Sequence, residues 1–531
     1  MSAHAASADS GADKRLFWAC FMALIATAFG FIVRGMIITD LGKQFDLSAT
    51  EQGEIFGAGL WPFAISIVLF SLIIDKIGYG RAMAFAFVCH VVSCVMTIFA
   101  RGYLSLYIAT FIMALGNGSV EAVINPVVAT MFSKEKTKWL NILHAGWPGG
   151  LVVGGIMAIA LGWFKIGGWE WKVALVLIPT IAYGIMMIGH KFPVHERVAA
   201  GVSYHAMLRE VGILGALIIV SLMTFEVGRV FTTMGWLDFT SLGVLHVSSM
   251  SIPYLNIIII VVLVGAFGAY TKSLGQPLFI FLLLIMMPLA TTELGTDAWI
   301  TPLMEGEMGK LRLNAAWVLV YTSFIMMVLR FSAGSIVHRI SPLGLLAVSA
   351  AIAALGLVSL SYATGIMIVL AATLYAFGKT FFWPTMLGVV AERFPKGGAM
   401  TINTIAGVGM LSVGIVGAPF LGMIQDTAID KNLAAYDQQN NTAFHSNLVT
   451  DEKTSIFGEY LSVNQDKLMA ESEDNQAVVK EVSMNASKGA LRTVAIFPCI
   501  MLVCYIVLII YFKTKGGYNP VHLEDEGVHQ A

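Results

Sequence analysis

Charge is what this sequence has least of. Only 12% of its 531 residues are Asp, Glu, Lys or Arg, against roughly 25% in soluble domains. With 57% hydrophobic residues, little of the surface can need water, which excludes an ordinary soluble domain. Basic excess is also missing: the formal net charge is −1, so nothing is left over to neutralise phosphates, and a nucleic-acid partner is excluded. Cysteine is sparse. Cys20, Cys89, Cys94, Cys499 and Cys504 all lie in apolar runs, without metal-ligand spacing or loop placement, and read as small apolar core residues. No GxxxxGK[ST] occurs, so ATP does not drive the protein through a phosphate loop. The glycines read instead as points of close helix approach.

Long apolar runs are what the sequence does have. A bilayer core takes about 20 apolar residues per helix, because each backbone polar group must be satisfied inside the segment. Such runs cover roughly 16–38, 53–74, 82–100, 103–131, 140–163 and 171–190, then 211–235, 253–272, 276–300, 315–337, 343–363, 366–391, 399–424 and 491–513. The fold class is therefore an all-α membrane protein with about fourteen transmembrane helices. The first run is too long for a signal-peptide core and lacks a cleavage site, so residues 1–15 read as a cytoplasmic tail. Lys76, Arg81, Lys134, Lys136, Lys138, Lys191, Arg197, His338, Arg339, Arg393, Lys396, Lys513 and Lys515 fall in the loops on that side. The opposite loops carry few bases: Lys43, Arg101, Lys165, Lys310 and Arg312. This asymmetry predicts cytoplasmic termini in a multi-pass cytoplasmic-membrane protein.

The organisation expected is a six-helix bundle over 16–190 and a basic linker with two extra helices over 191–275. A second six-helix bundle over 276–513 and a cytoplasmic tail over 514–531 follow. Residues 427–490 are polar and acidic, and read as a solvated, flexible outer loop or a small cap.

Several residues carry chemistry. After the second helix the chain reads Ser71-Leu-Ile-Ile-Asp75-Lys76-Ile-Gly78-Tyr-Gly80-Arg81. An acid beside a base at a helix end, then glycines and another base, suits a tight gating turn that latches neighbouring helices. Gly334-Ser-Ile-Val-His338-Arg339 echoes it in the second half, as a duplicated bundle would. Glu121 stands mid-membrane in GNGSVEAVINP, where a charge is costly and marks a working cavity. Carboxyl groups withdrawn from water hold a proton more readily, which makes Glu121 a candidate proton carrier, with Arg34 as its candidate ion-pair partner. Glu293 and Asp297 lie four apart and share a helix face. Together with Trp299 they suit a sugar, whose hydroxyls need acceptors and whose C–H face stacks on an aromatic ring. Lys379 is a further buried ion, suited to an anion or to a pair with Glu293. Glu226 and Arg229 read as a local pair, and His90 and His144 as satisfied core histidines.

The Asp75–Arg81 loop resembles that of the major facilitator superfamily, which implies a major facilitator fold: two six-helix bundles, here enlarged by an inserted pair of helices. GNGSVEAVINPVVATMF with Leu140-Asn141-Ile142-Leu143-His144-Ala145-Gly146 resembles helices four and five of the fucose permease-like sugar:proton symporters. Arg330-Phe331-Ser-Ala-Gly334, Phe382-Trp383-Pro384-Thr385 and Gly407-Val-Gly409 extend the likeness into the second half. It implies proton-coupled monosaccharide transport, with Glu121 in the place of their buried glutamate and Asn125 and Asn141 in the same motif. Those symporters carry a helix-one aspartate. Here Arg34 stands near that place, which predicts an Arg34–Glu121 pair and admits a carboxylate substrate. The leading expectation is a monosaccharide transporter, and the alternative is transport of an acidic sugar or small organic anion. A membrane enzyme would need a nucleophile or metal cluster, and the sequence shows none. A transporter-like receptor would use the outer loop for signalling. No cofactor or metal is expected. The expected partners are a small solute, a proton as coupling ion and the lipid bilayer, with the chain acting as a monomer.

Overall fold

The computed structural model of the chain describes residues 13–247, 250–297, 308–309, 316–337, 339–455 and 458–523. Among them, thirteen helices are long and apolar enough to cross a membrane. In chain order they start with α1 (Lys14–Gln44), α2 (Glu51–Ile77), α3 (Tyr79–Ile98), α4 (Tyr103–Met131), α5 (Lys136–Trp163) and α6 (Trp169–Met187). Next come α7 (Tyr204–Thr233), α8 (Tyr254–Thr271), α9 (Pro277–Gly295) and a shorter apolar helix, α10 (Ala316–Phe331). The last are α11 (Pro342–Tyr362), α12 (Met367–Arg393), α13 (Pro395–Asn440) and α14 (Glu473–Thr514). Local signals start several of them. Asp13 caps α1 by accepting from the N–H of Arg15 and Leu16, and Ser48 forms a capping box with Glu51 ahead of α2.

Helices α1–α6 pack on one another, as do α9–α14, and the two groups meet chiefly where α2 packs against α13 and where α5 packs against α10 and α12. The inserted α7 packs on α9 and α13, with α8 against its outer side. Tyr204 at the start of α7 donates to the carbonyl of Leu72 in α2 at 3.0 Å, so this helix touches both groups along the α2–α13 seam.

Both ends of the described chain lie on one face. Asp13 contacts His190, and Tyr518 donates to Glu392 at 2.8 Å. That face is closed by contacts between the two groups: Glu392 accepts from the backbone N–H and hydroxyl of Thr137, and Lys136 donates to the carbonyl of Ala391. Gly388 makes this approach possible, since a Cβ there would lie 2.7 Å from the Thr137 backbone. The linker joins in, with Glu196 paired to Lys136 at 2.6 Å and Arg197 paired to Asp75.

On the opposite face, residues 427–490 differ from the flexible loop weighed above. Helix α13 runs on to Asn440 and α14 begins at Glu473, which together raise a folded cap. Between them lie a helix, Phe444–Leu448, the antiparallel strands β1 (Val449–Ser455) and β2 (Gly458–Val463), and a helix, Gln465–Met469. Ile429, Leu433, Leu448, Val449 and Val479 form a separate apolar core. The polar composition hid a helix extension whose few apolar residues converge from distant positions.

Candidate functional site

A chain of three cavities, sharing lining residues, runs from the centre of the molecule toward the cap face. Its mouth, of about 370 Å³, lies between α2, α7, α9 and α13, and is lined by Gly53, Phe56, Leu60, Glu226, Arg229, Met410 and Gly414 among others. Phe56, Leu60 and Met410 lead into a compartment of about 40 Å³ around Arg34, Asn117 and Asp297. Phe63, Trp147, Leu294 and Met410 lead on to the innermost, of about 30 Å³, around Glu121, His144, Glu293, Arg330 and Trp383. The path narrows from the cap face inward and ends against the closed face.

Irregular backbone surrounds these cavities. Helix α2 is interrupted at 58–60, α5 at Ala145 and α12 at Thr380–Phe381. Helices α9 and α13 each contain a π turn, Thr291–Gly295 and Val413–Gly417. Backbone freed at membrane depth needs substitute partners; proline accounts for the breaks in α5 and α12 and frees one more carbonyl inside the continuous α4. Pro126, Pro148 and Pro384 have no N–H to offer the carbonyls four residues earlier, those of Ala122, His144 and Thr380. Polar side chains take their place. Asn403 donates to the Ala122 carbonyl at 3.1 Å. Arg330 donates to the His144 carbonyl at 2.8 Å through Nη1 and to that of Thr380 at 2.7 Å through Nε. The third arm, Nη2, meets Glu293 at 2.6 Å, and the other oxygen of Glu293 accepts from the Trp383 N–H at 2.9 Å. Every arm of the Arg330 guanidinium is engaged, and the bonds from Asn403 and Arg330 to α4 and α5 join the two helix groups.

The ions pair differently from expectation. Glu293 pairs with Arg330, not with Lys379. Lys379 pairs instead with Asp297, which is buried and not solvated at a helix end. The widened π turn holding Glu293 separates the two carboxylates onto different cations. No Arg34–Glu121 pair forms. Glu121 accepts from Asn125 Nδ2 at 2.6 Å, and the Asn125 Oδ1 meets His144 Nε2 at 2.9 Å. Arg34 lies apart, its guanidinium carbon 5.9 Å from the Phe31 ring centre and 5.3 Å from that of Phe56. It rests on the break in α2, where any Cβ on Gly59 would overlap it. Among the described residues no acid pairs with it, and its buried Nε has no hydrogen-bond partner.

Asn141 is placed at the seam between the groups, donating to Thr137 and to Thr385 Oγ1, and is not part of the cavity lining. Trp299 lies outside the described residues. Of the gating turn, Asp75 holds Arg197 of the linker, the Lys76 ammonium stands 5.9 Å from the Tyr204 ring centre, Gly78 makes the turn and Arg81 is exposed. Beside this latch, burial and the nearby Lys136 and Arg197 cations push the His195 pKa down to about 3. Glu226 and Arg229 form the expected local pair, at 2.6 Å, and border the mouth. His90 is satisfied by Asn117 and Tyr183. Arg330, His144 and Trp147 were not singled out as site residues. Trp147 and the neighbouring His144 had a signal in the Trp-Pro pair, which the sequence repeats at Trp61-Pro62, Trp147-Pro148 and Trp383-Pro384; Arg330 had only its charge.

The profile of the Major Facilitator Superfamily matches residues 19–419. A protein TsgA homolog of Buchnera aphidicola is 28% identical over 122 residues, 23% of this chain and 32% of the relative. A hexuronate transporter of Bacillus subtilis is 28% identical over 151 residues, 28% of this chain and 34% of the relative. The chain thus spans about a third of the length of these curated relatives. A fucose:proton symporter of E. coli superposes with a TM-score of 0.53 at 13% identity, covering 92% of this chain and 98% of the other, a likeness of fold.

Proposed function

Because the chain belongs to the Major Facilitator Superfamily, we propose that it moves a small organic anion, acidic sugars included, across the cytoplasmic membrane by alternating access and with a proton as coupling ion. Its termini then face the cytoplasm, in accord with the lysine and arginine pattern, and its cavity opens outward. The observation that carries this reading is Arg34. A buried charge without a counter-charge is costly, and the other cations near the centre are compensated, Arg330 by Glu293 and Lys379 by Asp297. Among the described cations near the centre, Arg34 alone has its charge available to a substrate carboxylate, which a guanidinium binds through two parallel N–H bonds. Ion pairing of Glu293 and Asp297 also weakens the case for a neutral monosaccharide, since it occupies the acceptors that sugar hydroxyls would use. The relative named a hexuronate transporter is in keeping with an anionic solute.

Glu121 is the proposed proton site. It is 4% exposed, lines the innermost cavity and is held by an uncharged amide, an environment in which a carboxylic acid can exist in both forms.

The test is uptake into proteoliposomes of glucuronate, gluconate and glucose, with and without an inward proton gradient. Acid uptake is expected in the parent, falling at least tenfold in Arg34→Gln (about 1.4 kcal/mol) and partly retained in Arg34→Lys. Glu121→Gln is expected to keep exchange of acid against acid while losing gradient-driven accumulation. Transport of glucose alone would overturn the anion reading in favour of a monosaccharide carrier. Full accumulation by Glu121→Gln would remove the proton role.

A further inference from the structure

Asn117 lines the same compartment as Arg34, is 4% exposed, and its side chain is oriented from behind. His90 Nε2 contacts its Oδ1 at 2.9 Å, and the hydroxyl of Tyr183 contacts His90 Nδ1 at 3.1 Å. With the amide oxygen as acceptor, His90 must donate from Nε2, and its Nδ1 must accept from Tyr183. This fixes the sense of the relay. It also leaves both N–H bonds of Asn117 Nδ2 without a partner among the described residues, in the compartment that already holds the guanidinium. Two donor groups and no free acid there make a site for an anion. Asp297, the only acid among the described lining residues, is taken by Lys379. The remaining described walls are apolar: Phe31, Phe56, Phe63 and Trp147 offer flat ring faces, and aliphatic side chains such as Leu60 and Met410 fill between them without an acceptor for hydroxyls.

We infer that Arg34 and Asn117 together hold a single carboxylate, with Asn117 as a second binding residue and His90 as its positioning residue. The aromatic walls select an acid with a flat unsaturated body over a polyhydroxylated one. This inference rests on the anion reading above and narrows it. Buried hydroxyls without partners lose affinity, whereas rings gain by stacking and by exclusion from water.

Calorimetric titration of the purified full chain with benzoate, glucuronate, benzamide and glucose tests it. Benzoate is expected to bind at least tenfold tighter than glucuronate, and neutral benzamide not measurably. Asn117→Ala is expected to weaken benzoate about tenfold, the scale of one hydrogen bond to a charged group. Asn117→Asp, which sets a carboxylate against a carboxylate, is expected to abolish binding. His90→Phe should match Asn117→Ala, while His90→Gln, which retains a donor toward Asn117, should restore most of the affinity. A general loss of packing would not be rescued in that way. Unchanged benzoate binding by Asn117→Asp, or no benzoate binding by the folded parent, overturns the subsite. Glucuronate tighter than benzoate overturns the selection of a flat body and leaves the anion reading standing. Binding of glucose with neither acid overturns the anion reading itself.

Discussion

Arg330 shows how one residue can serve two helices. Its guanidinium fills the gaps that Pro148 and Pro384 open in α5 and α12, and it is neutralised by Glu293 at 2.6 Å. Removing one member of a buried pair leaves the other charged and alone, which costs about 3–5 kcal/mol. Arg330→Met is therefore expected to lower the melting temperature in detergent sharply, since it also orphans two carbonyls. Adding Glu293→Met should recover part of the loss. Pro384→Ala in the Arg330→Met background should recover a further part, because it gives the Thr380 carbonyl a helical N–H. A melting curve unchanged by Arg330→Met would refute this role. The charges were legible in the sequence because acids and bases stand out in apolar runs. Their pairing was not, since it depends on how separate helices rotate toward one another. Arg330 entered the sequence reading only through the Arg330-Phe331-Ser-Ala-Gly334 likeness, with no role of its own.

At the scale of elements, the short linker helix Glu196–Ala199 works as a latch on the closed face. Glu196 holds Lys136 at the start of α5, and Arg197 holds Asp75 at the end of α2. His195 lies beneath them with its Nδ1 accepting the Arg197 N–H at 3.1 Å. With its folded pKa at about 3, His195 is neutral in the latch, whereas the unfolded segment takes up a proton below about 6.5. The stability it lends is thus full above pH 6.5 and is lost as pH falls from there toward 3. At pH 5 the loss is about 2 kcal/mol. The fall in melting temperature between pH 7.5 and pH 5 is expected to be smaller in His195→Asn, which keeps an acceptor but cannot titrate. An equal fall in both proteins would show that His195 does not link the latch to pH. Nearly every spanning helix was legible from its apolar run. The cap was legible only as the alternative to a loop, because α13 and α14 leave the apolar region without leaving the helix, and polar residues suit an exposed helix as well as a loop.

For the molecule as a whole, two helix groups meet tightly at the face that holds the chain ends and part toward the cap face, where the mouth opens between α2, α7, α9 and α13. Alternating access requires this mouth to close when substrate binds at the centre. If Arg34 is the substrate's anchor, closure must depend on it and on an anion. Gly53 offers a reporter: it lines the mouth, is exposed, and has room for a side chain, with nothing within 4 Å of an added Cβ. The decisive measurement is the rate at which a water-soluble maleimide labels Gly53→Cys, in a background with Cys499 and Cys504 replaced by alanine. Glucuronate or benzoate is expected to change that rate several-fold, glucose to leave it unaltered, and Arg34→Gln to abolish the response to either acid. A response to glucose with none to the acids, or an undiminished response to acid in Arg34→Gln, would contradict the account.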